Sequence, residues 1–211
     1  MTSKHVIFSC GGIQLEGELH LPEGNGPSPV AVVCHPHPLY GGDMGNDVVM
    51  AICSALIRSS IGALRFNFRG VGNSSGSYDG GLGEEDDVKS AFDFLSTLRD
   101  VDRGRMGLVG YSFGGLVALS VAIKDNRIKQ LVLISPALKE AGWAQLKEYA
   151  LPKLILIGDA DTSIPFRPFQ RFFGDTRQYQ IIAGADHFWR GFEEQLSDKI
   201  AHFFHDGFQA K

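Results

Sequence analysis

The feature that most constrains the fold of this chain is an alternation. From residue 30 onward, apolar runs of about strand length take turns with longer segments whose apolar residues recur at helical spacing. The runs are VAVVCHP (30–36), IGALRFNF (61–68), RMGLVG (105–110), LVLIS (131–135), KLILIG (153–158) and RQYQIIAG (177–184). Between and after them lie NDVVMAICSALIRSS opened by Asn46, EEDDVKSAFDFLSTLRD, FGGLVALSVAIK (113–124), AGWAQLKEY, PFRPFQRFF (165–173) and FWRGFEEQLSDKIAHFFHDGF. Strands that are apolar throughout must be covered on both faces, which calls for a parallel sheet with helices on each side. The opening differs: KHVIFSC (4–10) and IQLEGELHLP (13–22), joined by Gly-Gly, read as an antiparallel hairpin. The expectation is one α/β domain over residues 1–211, a doubly wound, mostly parallel sheet of about eight strands with an antiparallel N-terminal hairpin.

Composition narrows the function classes. The chain has 211 residues, 44% hydrophobic and 21% charged, with a net charge of −4 and no block of Lys and Arg. That balance disfavours nucleic acid as a partner. No apolar run approaches a membrane span, and MTSKHVIFSCGG lacks the apolar core of a secretory signal. Cys10, Cys34 and Cys53 are odd in number and lack C-x-x-C spacing, which suits free thiols in a reducing, cytoplasmic setting. Nothing in the sequence fixes an oligomeric state.

The pattern G-x-S-x-G, which marks a nucleophilic serine on a sharp strand-to-helix turn, occurs twice: GNSSG at 72–76 and GYSFG at 110–114. Such a turn needs a strand ending just before the serine and a helix starting just after it. The helix N-terminus then offers N–H groups and positive dipole to a developing oxyanion. Ser112 has both neighbours, RMGLV and FGGLVALSVAIK, with Gly110, Gly114 and Gly115 removing side chains where backbones must approach. Ser74 has neither and reads as a serine in a flexible Gly/Ser loop spanning roughly 69–83. Gly70, Gly72 and Gly76 of that loop also imitate a dinucleotide-binding fingerprint, but more loop follows where a helix should receive the pyrophosphate.

A serine hydroxyl needs a base, usually His held by a carboxylate. His187 alone among seven histidines follows the last strand in a loop, AGADH, ahead of a helix. Asp159 and Asp161 both follow the strand KLILIG, and Asp161, further out, is the better placed to orient that His. Asp186 adjoins His187 and should diverge from it, and Asp175 lies beyond a helix.

With these residues placed, the chain resembles the α/β-hydrolases, and in particular small lidless bacterial serine hydrolases whose first parallel strand ends in H-P-H-P-x-x-G-G. The resemblance rests on HPHPLYGG (35–42), LRFNFRGVGNSSG, GYSFGG, GDADTSIP and ADHFW, in that order. It implies a Ser112, Asp161, His187 set and an oxyanion hole of backbone N–H groups from Phe113 and from the loop after the first parallel strand. His37 is the donor carried over in that loop. Pro36 and Pro38 cannot donate, so Leu39 is the runner-up. The resemblance also implies no cap domain, since one short helix separates LVLIS from KLILIG. Tyr40, Tyr111, Trp143, Phe188 and Trp189 are the aromatic residues expected to rim the open site. The implied activity is acyl transfer to water from a small-molecule ester or related acyl compound, with no cofactor and no metal. Thioester, lactone and peptide substrates share that chemistry. Two other readings are a catalytically silent binding member of the fold and a dinucleotide-binding oxidoreductase using Gly70–Gly76.

Overall fold

Apolar strands and amphipathic helices assemble as the alternation demands. The computed structural model describes residues 2–24, 26–164 and 179–209. Strands β1 (Thr2–Cys10) and β2 (Ile13–Leu21) form the antiparallel hairpin, Thr2 facing Leu21 and Cys10 facing Ile13. The parallel strands are β3 (Ser28–Cys34), β4 (Gly62–Phe66), β5 (Val101–Tyr111), β6 (Ile128–Ile134), β7 (Lys153–Gly158) and β8 (Tyr179–Ile182). They lie in the order β1-β2-β4-β3-β5-β6-β7-β8, and the hairpin joins the sheet antiparallel to β4.

Helix α1 (Asp47–Arg58) starts where Asn46 Oδ1 accepts from Val48 N–H. It shares one face of the sheet with α5 (Glu193–Gln209), in a core that includes Ile52, Leu56, Val132, Trp189, Leu196 and Phe204. Helices α2 (Leu82–Thr97), α3 (Phe113–Ala122) and α4 (Glu140–Glu148) cover the other face, around Phe66, Phe92, Val117, Leu133 and Leu146. The two cores make a single domain. Only α4, nine residues long, separates β6 from β7, so no lid is inserted there. The helix expected at 165–173 lies outside the described residues.

Two elements differ instructively from the expectation. Helix α2 begins at Leu82, before the acidic run, because Gly81 sits at φ 103° and passes the chain into the helix. Glu84, in the first turn, is fully buried, and its carboxylate accepts from Asp79 N–H and Gly81 N–H. The Gly/Ser loop is not loose. Ser74 is buried, its hydroxyl donating to Asn67 O and accepting from Glu16 N–H. Glu16 in turn receives Asn67 Nδ2, Asn73 N–H and Asn73 Nδ2. The loop is stitched to the hairpin, a long-range tie that local composition does not announce.

Candidate active site

The chain leaves β5 at Tyr111 and enters α3 at Phe113, so Ser112 alone makes the turn. It does so at φ 53°, ψ −113°, a conformation costly for a residue with a side chain and held by its surroundings. Those surroundings are backbone packed on backbone. A Cβ on Gly110 would lie 2.3 Å from Gly114 O, and one on Gly114 would lie 2.5 Å from His35 O. The two glycines therefore let α3 press against the ends of β5 and β3.

The turn brings Ser112 to the loops after β7 and β8. Ser112 Oγ is 3.0 Å from His187 Nε2, and His187 Nδ1 is 2.9 Å from Asp161 Oδ2. Asp161 is buried and also accepts from Ser163 N–H and Ile164 N–H through Oδ1. Burial alone would raise its pKa. The hydrogen bonds from His187, Ile164 N–H and Ser135 outweigh that and hold the carboxyl below the usual aspartate value. An ionised Asp161 fixes the proton of neutral His187 on Nδ1, leaving Nε2 to accept from the Ser112 hydroxyl.

The competing carboxylates are otherwise occupied. Asp159 Oδ1 accepts from Gly184 N–H, and Asp186 Oδ1 accepts from Phe188 N–H and Trp189 N–H. Asp175 lies outside the described residues.

The loop after β3 faces the same serine. Buried His35 accepts from Phe68 N–H through Nε2, and its Nδ1 lies 2.7 Å from Pro36 O. That carbonyl and His37 N–H belong to one trans peptide, so fixing the oxygen on one side presents the N–H on the other. Among the described residues, neither His37 N–H nor Phe113 N–H has an acceptor. Leu39 N–H does: it donates to His37 Nδ1 at 3.2 Å, which spends the runner-up donor. Gly76, by contrast, stands well short of the first turn of α2, and the carboxylate of Glu16 already takes Asn73 N–H and Asn73 Nδ2 within the loop. Gly70–Gly76 therefore has no helix N-terminus to offer a pyrophosphate. His35 and His37 are spent on these contacts, and no group of three metal-ligating side chains occurs among the described residues.

The five aromatic residues expected at the rim divide. Tyr40 is 86% exposed and Phe188 59% exposed. Trp143, Trp189 and Tyr111 are buried, a correction to the expectation. Trp143 packs in the core beneath α4. Trp189 Nε1–H donates to Ser135 Oγ, and the Ser135 hydroxyl is itself hydrogen-bonded to Asp161, so this indole supports the carboxylate from behind. Tyr111 O–H donates to His187 O at 2.6 Å. Consecutive residues Tyr111 and Ser112 thus grip His187 by its carbonyl and by its ring. Sequence reasoning missed Ser135 and the Tyr111 hydroxyl, since only the folded chain brings them beside Asp161 and His187.

A model of the alpha/beta hydrolase family matches residues 31–209. The chain belongs to the α/β hydrolase family. This α/β hydrolase is 34% identical to an alpha-beta serine hydrolase homologue from Coxiella burnetii, and the two structures align with a TM-score of 0.85 over 96% of this chain and 97% of that one. A serine hydrolase without a lid from Xanthomonas campestris is 27% identical, with a TM-score of 0.84 over 100% of this chain and 97% of that one. An uncharacterized protein of Rickettsia prowazekii is 33% identical over 184 residues, 82% of this chain and 77% of its own length. Serine-hydrolase neighbours this similar support hydrolase activity. No helix among the described residues is long and apolar enough to cross a membrane.

Proposed function

We propose that this α/β hydrolase is a serine hydrolase that cleaves a carboxylic ester or related acyl compound, working in a reducing compartment such as the cytoplasm. One observation carries the reading: Ser112, on a strained turn at a helix N-terminus, is joined through His187 to the buried carboxylate of Asp161. Ser112 Oγ attacks the acyl carbon as its proton passes to His187 Nε2, and Asp161 stabilises the imidazolium. The oxyanion of the tetrahedral intermediate takes hydrogen bonds from His37 N–H and Phe113 N–H. Collapse expels the leaving group, which takes the proton from His187. Water then attacks the acyl-enzyme, gives its proton to the same nitrogen, and the acid departs with Ser112 restored.

The test is labelling by an alkyl fluorophosphonate followed by peptide mapping. The phosphorus–oxygen bond forms as the phosphorus–fluorine bond breaks, fluoride leaves, and the serine proton goes to His187. A single adduct is expected on Ser112, absent from Ser112→Ala and unchanged in Ser74→Ala. An adduct on Ser74 overturns the assignment. A folded wild type that takes no label points instead to a non-catalytic binding role.

A further inference from the structure

The two proposed oxyanion donors come from different loops, and their N–H groups must converge on one oxygen. Their own side chains touch: the rings of His37 and Phe113 lie 4.8 Å apart. A third loop completes the contact. Tyr78, from the segment between β4 and α2, lies 5.1 Å from the His37 ring and 5.6 Å from the Phe113 ring. Its hydroxyl is 3.3 Å from His37 Nε2.

Proton bookkeeping makes this link directional. Because Leu39 N–H donates to His37 Nδ1, the imidazole proton sits on Nε2 and is donated to the Tyr78 oxygen. The imidazole therefore closes the 3-10 turn Pro38–Tyr40 on one side and ties it to Tyr78 on the other. Tyr78 is itself anchored, since Asp79 N–H and Gly81 N–H immediately after it are held by the buried Glu84. Burial, followed by the nearby Glu84 and Tyr40, raises its pKa, so it stands as a neutral phenol at ordinary pH.

We propose that Tyr78 is a positioning residue for the oxyanion hole, holding the His37 loop against Phe113 through the imidazole of His37. The inference rests on the serine-hydrolase reading above. His35 fixes the rotation of the Pro36–His37 peptide, and Tyr78 fixes the distance of that peptide from the turn at Ser112. Preorganised donors stabilise charge only where the charge develops, so a loop that drifts loses transition-state binding and keeps ground-state binding.

The test is a double-mutant cycle on nitrophenyl ester hydrolysis, read with fluorophosphonate labelling rates. Tyr78→Phe keeps the ring and removes only the acceptor. It is expected to lower kcat and the labelling rate about tenfold, a fraction of what losing a whole oxyanion donor costs, with KM and the melting temperature unchanged. His37→Asn keeps the backbone N–H and supplies a short side-chain acceptor for Leu39 N–H, but it cannot reach Tyr78. In that background Tyr78→Phe should have no further effect. Full kcat in Tyr78→Phe, or the same fall in both backgrounds, overturns the clamp. So does a kcat that falls only together with the melting temperature. Wild type that labels on Ser112 while Tyr78→Phe labels equally fast sinks the clamp alone; wild type that does not label sinks the hydrolase reading and the clamp with it.

Discussion

The imidazole of His35 is sealed from solvent between Phe68 N–H and the Pro36 carbonyl. Burial pushes its pKa down from 6.5 to about 4, against the opposing pull of Pro36 O and Asp43. A histidine whose folded pKa lies below its unfolded value contributes fully above the unfolded value. That contribution is lost as pH falls from 6.5 through about 4, because the unfolded chain takes up the proton first. The loss over that window is roughly 3 kcal/mol. Asp161 and Glu16, both held below their ordinary carboxylate values, begin to lose their contributions only towards the acid end of that window. Urea midpoints of wild type should therefore fall between pH 7.5 and pH 4.5, and those of His35→Gln should fall much less. Parallel curves would place the sensitive group elsewhere. At this scale the grouping of Ser112, Asp161 and His187 in space was legible because each follows a recognisable strand. His35 was not, since what it does depends on Phe68, distant in sequence and adjacent in the fold.

Secondary-structure elements were read best where their signals are local. The strand β7 and the abrupt start of α3 follow directly from KLILIG and from GYSFGG. The start of α2 and the burial of Trp143 and Trp189 did not, because a left-handed glycine and the far side of an aromatic ring are settled by neighbours remote in sequence. The crossing of α3 over β3 makes a test at this scale. Gly114→Ala would set a methyl 2.5 Å from His35 O and 2.6 Å from Cys34 O, backbone atoms that cannot step aside. Destabilisation of roughly 2–4 kcal/mol in chemical denaturation is expected, together with loss of ester hydrolysis as the helix lifts away. Gly24→Ala, with open space around it, is the neutral control.

Taken whole, the molecule is one sheet between two cores, with the proposed site assembled from loops at one end and no lid inserted after β6. An enzyme without a lid has nothing to open at an oil–water interface. Its rate on a sparingly soluble ester should rise smoothly with concentration and saturate, with no step at the solubility limit; a step there would contradict an open site. The spacing of the site along the chain has a further consequence during synthesis. The hairpin that supplies Glu16 leaves the ribosome well before Asn73, and the elbow is complete long before His187, 75 residues beyond Ser112. On the proposed reading, a nascent chain arrested between them would carry Ser112 with no base beside it. Its Ser112 would be as inert as Ser74, and the growing polypeptide would stay chemically silent until its last strand and the loop behind it had emerged.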